Sequence, residues 1–383
     1  MLKNRISYLL ILLGVFLFFV CYNGYISYYV LLVALALPLL SLLLSLPGIL
    51  GIRLEFQAEE LSAQKGQSVP LRLTISNALP FVSGRARVTL RTQNILTGEI
   101  QEEHFGFTAS QSPLTIVHQL TSPLCGQVVC QLRRGRVCDY MGIFAFPMRL
   151  SRCPRQTVVF YPTVHSPLLS LNQVPQPNSE SDTYSQTKPG DDPSELFGLR
   201  NYREGDKLSR VHWKLSQKTG GLLIKEFGYP IAEHLLFLLE PGSGQEADLL
   251  LDAFATLSHF LSQQEAPHRA ALRGGDGFSM KEITDEESRR PVLNALLSLG
   301  KTDTLQPVSS QKLFSGVSHI IYLSHTPEEG TVRSVLQQAP FARFSILTTA
   351  SDPSAINADL PGGTELISLR PGQITETLNG FQL

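Results

Sequence analysis

Two long segments without a charged side chain lie near the start of the chain and limit what it can fold into. They run from Ile6 to Tyr22 and from Ile26 to Leu46, and the Asn23-Gly24 dipeptide between them is typical of a tight turn. A helix that crosses a bilayer needs about 20 apolar residues, with a range of roughly 17–25. The pattern therefore predicts two transmembrane helices within residues 1–50.

The charges that flank these segments predict their orientation. Lys3 and Arg5 precede the first segment and Arg53 follows the second, so the positive-inside bias places both ends in the cytoplasm and the turn outside. A cleaved signal peptide is the alternative for the first segment, but no small-residue cleavage site follows it. A lipoprotein site at Cys21 would need a small residue before the cysteine, where Val20 stands.

Composition excludes several classes of protein. The formal net charge is -1, which gives no support for a nucleic-acid binder that works by bulk positive charge. Five cysteines in 383 residues exclude a disulfide-framework mini-protein. The large apolar fraction of 43% excludes an intrinsically disordered chain.

Residues 51–165 follow a period of two, which indicates β-strands. In Val69–Asn77 the residues Val69, Leu71, Leu73 and Ile75 share one face. Short runs of the same kind, punctuated by turn residues, are Ala86–Thr92, Thr115–Leu120, Val128–Gly135 and Thr157–Pro162. This spacing predicts an all-β immunoglobulin-like sandwich.

Four cysteines fall in the predicted sandwich, at Cys125, Cys130, Cys138 and Cys153. They lack the paired close spacing of a metal site, and a cytoplasmic location opposes disulfides. We therefore expect buried, reduced thiols. The following residues 166–189, rich in Pro, Ser, Gln and Asn, are expected to form a linker.

The stretch from Gly190 to Tyr229 concentrates charge around Trp213, the single tryptophan. Asp192, Pro193 and Glu195 have the order of a helix cap, a first helical position and a capping-box partner. A solvated, salt-bridged helix with Trp213 packed on the core is the simplest interpretation. A glycine pair then predicts a turn into the strand LLIKEF. One helical face would carry Arg210, Trp213, Lys214 and Gln217.

This stretch resembles the signature of the domain of unknown function 58 (DUF58) family. The matching residues are Leu199, Arg200, Tyr202, Gly205, Asp206, Arg210, Val211, His212, Trp213, Lys214 and Ser216. Upstream, the segment 134–144 (RGRVCDYMGIF) and the pair Tyr161-Pro162 are also similar to the family pattern. The resemblance implies a membrane-anchored protein with a von Willebrand A-like domain in residues 190–383. The family has no established enzymatic activity.

Independently of the resemblance, the C-terminal part alternates between strand and helix patterns. Strands are predicted at Ile231–Glu240 and in the run HRAALRG, and a helix at Ala247–Gln264. Further expected elements are a helix at Glu286–Leu299, a strand at Ser318–Ser324, a helix near Thr331–Gln338, and strands at Arg343–Thr349 and Thr364–Leu369. The alternation predicts an α/β domain of Rossmann type with three layers.

The resemblance also implies where a magnesium site would lie, after the first strand of the α/β domain. An Asp-x-Ser-x-Ser pattern would supply oxygen ligands there, but Glu240, Gly242 and Gly244 occupy its positions. A later strand leads into Ser324-His325-Thr326, which contains no Asp. We therefore expect no metal and no cofactor.

These observations favour a membrane-anchored, non-enzymatic interaction or scaffold protein. The resemblance implies a MoxR-type AAA+ ATPase as partner, in the assembly or maturation of other proteins at the bacterial plasma membrane, and the two helices imply the lipid bilayer. No catalytic motif is recognisable, although a cell-envelope hydrolase with a site in residues 190–216 is the alternative. The candidate partner-binding residues are Asp191, Asp192, Arg200, Tyr202, Arg203, Asp206, Arg210, His212, Trp213 and Lys214.

Overall fold

The protein divides into two compact units, Met1–Tyr161 and Pro162–Leu383. The structure is a computed structural model that describes residues 2–22, 24–150, 153–171, 176–177, 189–228, 231–232, 234–240, 242, 244–274, 277–298, 314, 316–340, 342–350 and 364–383. The first unit contains both the apolar helices and the first β-rich body, which the sequence analysis treated as separate domains.

The two predicted membrane helices are present as α1 (Leu2–Cys21) and α2 (Tyr25–Leu50). They lie against each other, and the Tyr8 hydroxyl donates a 2.8 Å hydrogen bond to the Ala34 carbonyl. Both are long and apolar enough to cross a membrane. The described side chains of α1 are all exposed or half-exposed, unlike those of a core helix in a soluble protein. These features indicate membrane association.

The β-rich body of the first unit begins at once after α2, with Gly51 alone between Leu50 and Ile52. Its strands are β1 (Ile52–Ala58), β2 (Ser62–Gln64), β3 (Ser68–Asn77), β4 (Ala86–Asn94), β5 (Ile100–Phe107), β6 (Leu114–Thr121), β7 (Gly126–Cys138), β8 (Ala145–Pro147) and β9 (Gln156–Tyr161). One sheet has the order β1-β3-β6, and the other has the order β2-β9-β7-β4-β5 with β8 beside β7.

One hydrophobic core fills the space between the two sheets. The alternating residues of β3 from Val69 to Ile75 are buried in it, as their period predicted, together with Leu90 of β4 and Val158 of β9. Cys125 and Cys130 are also fully buried, and burial raises the pKa of the Cys130 thiol to about 12. Cys138 and Cys153 are half-buried.

The second unit is built on a mostly parallel six-stranded sheet. Its elements are β10 (Gln176–Pro177), β11 (Asp192–Asn201), α3 (Trp213–Thr219), β12 (Leu223–Gly228), β13 (Ile231–Ala232), β14 (His234–Glu240), α4 (Gln245–Gln263), β15 (His268–Gly274), β16 (Gly277–Ile283), α5 (Glu286–Ser298), β17 (Val317–Ser324), α6 (Glu329–Gln338), β18 (Arg343–Thr348), β19 (Glu365–Ser368) and α7 (Ile374–Leu378). The sheet order is β16-β15-β14-β17-β18-β19, and β16 alone pairs antiparallel.

Helices cover both faces of this sheet. Phe254 of α4 packs edge-on against Phe237 of β14, with ring centroids 5.3 Å apart. The neighbouring β14 residues Leu236 and Leu238 point to the other face, where they share a core with residues of α6. Layers of helix, sheet and helix are therefore present, as the alternation predicted.

The predicted linker at residues 166–189 is partly built into the second unit. The Leu168 carbonyl accepts a hydrogen bond from the Gly380 amide, and the Ser170 amide and carbonyl pair with Phe381 and Leu383. The pair Gln176–Pro177 forms a two-residue ladder with β13. Residues 172–175 and 178–188 lie outside the described residues.

Candidate functional site

The charged segment around Trp213 forms a small substructure, residues 190–228, that we call the signature module. It consists of β11, a 3-10 turn at Leu208–Arg210, α3 and β12, and β11 pairs antiparallel with β12. The helix cap predicted at Asp192 is wrong, because Asp192, Pro193 and Glu195 lie in β11. The Asp192 carboxylate instead accepts a 2.9 Å hydrogen bond from the Ser194 amide.

Arg200 is the centre of an ion-pair cluster in the module. Its guanidinium makes two 2.6 Å hydrogen bonds to the Asp206 carboxylate and contacts Glu226 of β12 at 3.0 Å. The Arg203 amide donates a further hydrogen bond to Asp206 at 2.8 Å. The hydrogen bonds from the Arg200 guanidinium are the main cause that lowers the pKa of Asp206 to about 2, and the hydrogen bond from the Arg203 amide is the second. The cluster therefore holds the turn after β11 against β12.

A second ion pair lies at the other end of the same ribbon. The Arg210 guanidinium is 2.6 Å from the Asp191 carboxylate and lies over the Phe227 ring, 5.4 Å from its centroid. Arg210 belongs to the 3-10 turn and precedes α3, so the predicted single helical face of Arg210, Trp213, Lys214 and Gln217 is wrong.

His212 and Ser216 connect α3 to the ribbon. His212 caps the helix, since its Nδ1 accepts a 3.3 Å hydrogen bond from the Leu215 amide, and its own amide donates to the Leu223 carbonyl at 2.8 Å. The Ser216 hydroxyl donates to the His212 carbonyl and accepts from the Leu223 amide. Both side chains are thus engaged in backbone hydrogen bonds. The half-buried Tyr202 joins the ribbon through its amide, which donates to the Leu222 carbonyl at 2.9 Å.

Trp213 lies on the surface, so the expectation that it packs on the core is wrong. Its side chain is 57% exposed, and that of Leu208 in the preceding turn is 61% exposed. Arg203 and Lys214 are exposed too, and within the described part of the chain neither side chain has a carboxylate partner. The module therefore pairs Arg200 and Arg210 internally and presents Trp213, Leu208, Arg203 and Lys214 to solvent.

The residues in the expected position of a metal site lie at the carboxyl edge of the parallel sheet. Glu240 ends β14 beside Ser324 of β17, and its carboxylate accepts a hydrogen bond from the Tyr322 hydroxyl. Gly242 has a backbone φ of 72°, a conformation that favours glycine over serine. Among the described residues, no three His, Cys, Asp or Glu side chains cluster as metal ligands would.

Sequence reasoning missed the exposed Leu208 of the 3-10 turn and two partners of the predicted residues, Glu226 and Phe227. The last two lie in β12, which was predicted as a strand, but the pairing of that strand with β11 was not. Successive residues of a strand point to opposite faces. Recognition of β11 as the partner strand of β12 would therefore have placed Glu226 on the same face of the ribbon as Arg200 and Phe227 on the other face.

Comparisons with known proteins do not extend this description. No family model and no curated protein matches the chain. Among solved structures, a β-glucosidase from Listeria innocua aligns at 14% identity over 25% of this chain and 15% of that one, with a TM-score of 0.18. A β-glucuronidase from Parabacteroides merdae aligns at 8% identity over 78% and 34%, with a TM-score of 0.20. An alkylpurine DNA glycosylase from Pseudomonas fluorescens aligns at 12% identity over 31% and 38%, with a TM-score of 0.19.

The chain thus spans less than two fifths of each of these three proteins. At such TM-scores the alignments carry no argument about fold or activity.

Proposed function

We propose that this protein is a membrane-anchored interaction protein of the DUF58 family that binds a protein partner through its signature module. The observation that carries the proposal is the exposed Trp213 on a helix whose start and end are held by hydrogen bonds. Tryptophan and arginine are the residues most enriched at interface hot spots. The exposure of the one tryptophan of the chain is better explained by binding than by folding.

The partner we propose is a MoxR-type AAA+ ATPase, which is the partner class that the family resemblance implies. The positive charges near Trp213 in the sequence favour a partner with an acidic surface. Exposed cations surround the tryptophan in sequence, at Arg203, Lys207, Lys214 and Lys218. Cations of this kind accelerate encounter with an acidic surface and fix its register. In this proposal the sandwich is immunoglobulin-like and the α/β unit is von Willebrand A-like.

The proposal requires both large units in the cytoplasm, where the ATPase resides. Lys3, Arg5 and Arg53 support this orientation through the positive-inside bias. A reporter fused after Leu383 tests it: a reporter that is active in the cytoplasm should work, and one that needs export should not. The opposite pattern would remove the ATPase from consideration.

Binding of the purified full-length protein, in nanodiscs, to a purified MoxR-type ATPase from the same cells tests the docking site. We expect Trp213→Ala to weaken binding at least about tenfold, as hot-spot residues do, with little change in melting temperature. Leu61→Ala is the matched control, because Leu61 is 62% exposed but lies in the sandwich. Equal binding by all three proteins would contradict the proposal, as would a Trp213→Ala variant that fails to fold.

A further inference from the structure

The start of α1 is hydrogen-bonded to the sandwich. The Asn4 side-chain amide donates to the Met141 carbonyl, and the Arg5 Nε donates to the Ile143 carbonyl, both at 2.9 Å. Both acceptors belong to the turn between β7 and β8. The membrane helix therefore does not begin at a loose tether but is fixed to the body at its first turn.

The second helix is fixed to the same end of the sandwich. The Ser41 hydroxyl donates a 2.8 Å hydrogen bond to the Asp139 carboxylate, and the Asn77 side-chain amide donates to the Gly48 carbonyl at 2.8 Å. A Cβ atom on Gly48 would lie 2.6 Å from the Val82 carbonyl oxygen, so the helix and the loop after β3 are in direct contact.

These contacts show how far the sandwich reaches along α2. The two helices are antiparallel and are joined through residues 22–24, and α1 has 20 residues whereas α2 has 26. With the joined ends level, α2 extends past the start of α1 by about six residues, or about 9 Å at a rise of about 1.5 Å per residue. The two loops contact the start of α1 and the last third of α2, at Ser41 and Gly48, and therefore lie close to where the helices leave the hydrocarbon core.

Apolar side chains project from these same two loops. We define the collar as Leu79, Phe81 and Val82 of the loop after β3, together with Tyr140 of the β7–β8 turn. All four are exposed, between 39% for Leu79 and 52% for Val82. The Tyr140 hydroxyl donates a 2.7 Å hydrogen bond to the Val82 carbonyl and so joins the two loops.

The charges around the collar suit a bilayer surface. The loop 78–83 has the sequence ALPFVS, without a charged residue, and the one carboxylate of the turn, on Asp139, is buried. Lys3, Arg5 and Arg53 supply positive charge at the same end of the unit. Exposed apolar loops with adjacent basic residues are the features of a surface that lies in the headgroup region.

We propose that the collar is inserted in the interfacial layer of the bilayer leaflet from which α1 and α2 emerge. The occupant is lipid, because the collar continues the apolar exterior of two helices that already indicate membrane association. The sandwich would then lie on the membrane instead of standing away from it. This proposal concerns residues far in sequence from the signature module and is independent of ATPase binding.

Fluorescence of a single tryptophan at the collar tests the proposal. The full-length protein with Trp213→Phe and Phe81→Trp is reconstituted in phosphatidylcholine–phosphatidylglycerol vesicles, with or without a lipid that carries a nitroxide near the headgroup end of its acyl chain. We expect the nitroxide to quench the tryptophan at position 81 roughly twofold more than a water-exposed tryptophan, because the collar lies at that depth. Leu79→Trp in the Trp213→Phe background serves as a second reporter.

Leu61→Trp in the Trp213→Phe background is the matched control. Leu61 is more exposed than any collar residue, but it follows β1, which leads away from α2 over seven residues, or about 20 Å. Equal quenching at positions 61, 79 and 81 would overturn the proposal. So would collar tryptophans whose emission is shifted to the blue without quenching by the nitroxide, because a second copy or another protein would then cover them.

Discussion

The Ser41 hydroxyl of the apolar helix α2 donates a hydrogen bond to the carboxylate of Asp139, which follows directly after strand β7. Asp139 is 1% exposed and also accepts hydrogen bonds from the amides of Phe144, at 2.7 Å, and Met141, at 3.3 Å. One carboxylate therefore closes the β7–β8 turn and joins it to a helix 98 residues earlier in the chain.

Replacing Asp139 should destabilise the protein more than replacing its partner Ser41. Asp139→Ala leaves the Phe144 amide and the Ser41 hydroxyl without their acceptor, whereas the Met141 amide keeps the Ser41 hydroxyl oxygen at 3.2 Å. Each unsatisfied buried group costs about 1–3 kcal/mol. Ser41→Ala removes the hydrogen bond to Asp139 and the longer one from the Met141 amide, but that amide keeps Asp139 as an acceptor, so the change should cost about 1 kcal/mol. Thermal unfolding of the full-length protein in detergent measures both changes. If the two variants melted together, Asp139 would not be the centre of this junction.

Glycines at the same junction should resist substitution. A Cβ atom on Gly84 would lie 2.0 Å from the Cys138 carbonyl oxygen, a backbone atom that cannot turn aside. Gly84→Ala should therefore destabilise the sandwich by about 1–3 kcal/mol, as overpacking does. At Gly106 in β5 the nearest atom would be 4.0 Å away, so Gly106→Ala is the control. We expect the melting temperature to fall in the first variant and to change far less in the second.

The two arginines Arg200 and Arg203 should behave differently although they are close in sequence. Arg200→Ala removes the contacts to Asp206 and Glu226 that hold the turn to β12, whereas Arg203→Ala keeps the backbone amide that Asp206 accepts from. We expect faster amide hydrogen exchange in β11 and β12 for Arg200→Ala and wild-type exchange for Arg203→Ala. The same protection in both variants would show that Arg200 is not a brace.

Two buried histidines should make the α/β unit sensitive to acid. Burial lowers the pKa of His268, whose ring is hydrogen-bonded to Ser258, to about 4, and that of His319, which is bonded to Ser345, to about 3. An unfolded histidine titrates near a pKa of about 6.5, so the unfolded state takes up protons first as the pH falls. Stability is therefore full above that value and decreases from about pH 6.5 towards pH 4 and pH 3.

The matched variant for this prediction is His268→Asn, which keeps a hydrogen-bonding side chain but does not titrate. Its free energy of unfolding should depend less steeply on pH below about 6.5 than that of the wild type, by roughly 1.4 kcal/mol per unit at most. Denaturant titrations at several pH values measure the slope. Identical slopes would assign the acid sensitivity to other groups.

Local patterns predicted the elements that bury one face, and failed where pairing depends on distant residues. The clean alternation of Val69–Asn77 fits β3 because one of its faces lies in the core. Strand β5 was missed because it is an edge strand whose residues from Ile100 to His104 are all exposed, which leaves no apolar period to detect. At Asp192 the helix-cap pattern gave the wrong prediction, because this residue pairs with β12, a strand that comes later in the sequence than the 3-10 turn and α3.

The candidate site shows the same limit. The residues of the signature module were found, but not which of them face solvent. Trp213 was expected in the core because large aromatic side chains usually bury their surface. The local sequence does not show whether other side chains already fill the core next to this helix. The ion pairs of Arg200 and Arg210 depend on Glu226 and Asp191, whose positions follow from the ribbon and not from spacing.

The single residue Gly51 between α2 and β1 has a mechanical consequence. A flexible linker would let the sandwich take any angle to the bilayer, but one glycine, with hydrogen bonds at Gly48 and Ser41 on the helix side, transmits the helix direction to the strands. Helices tilt when the bilayer is thinner than their apolar length. In a bilayer that both helices cross, the angle of the sandwich to the membrane plane would therefore follow the bilayer thickness, and lipid composition would act on this protein as an orienting force.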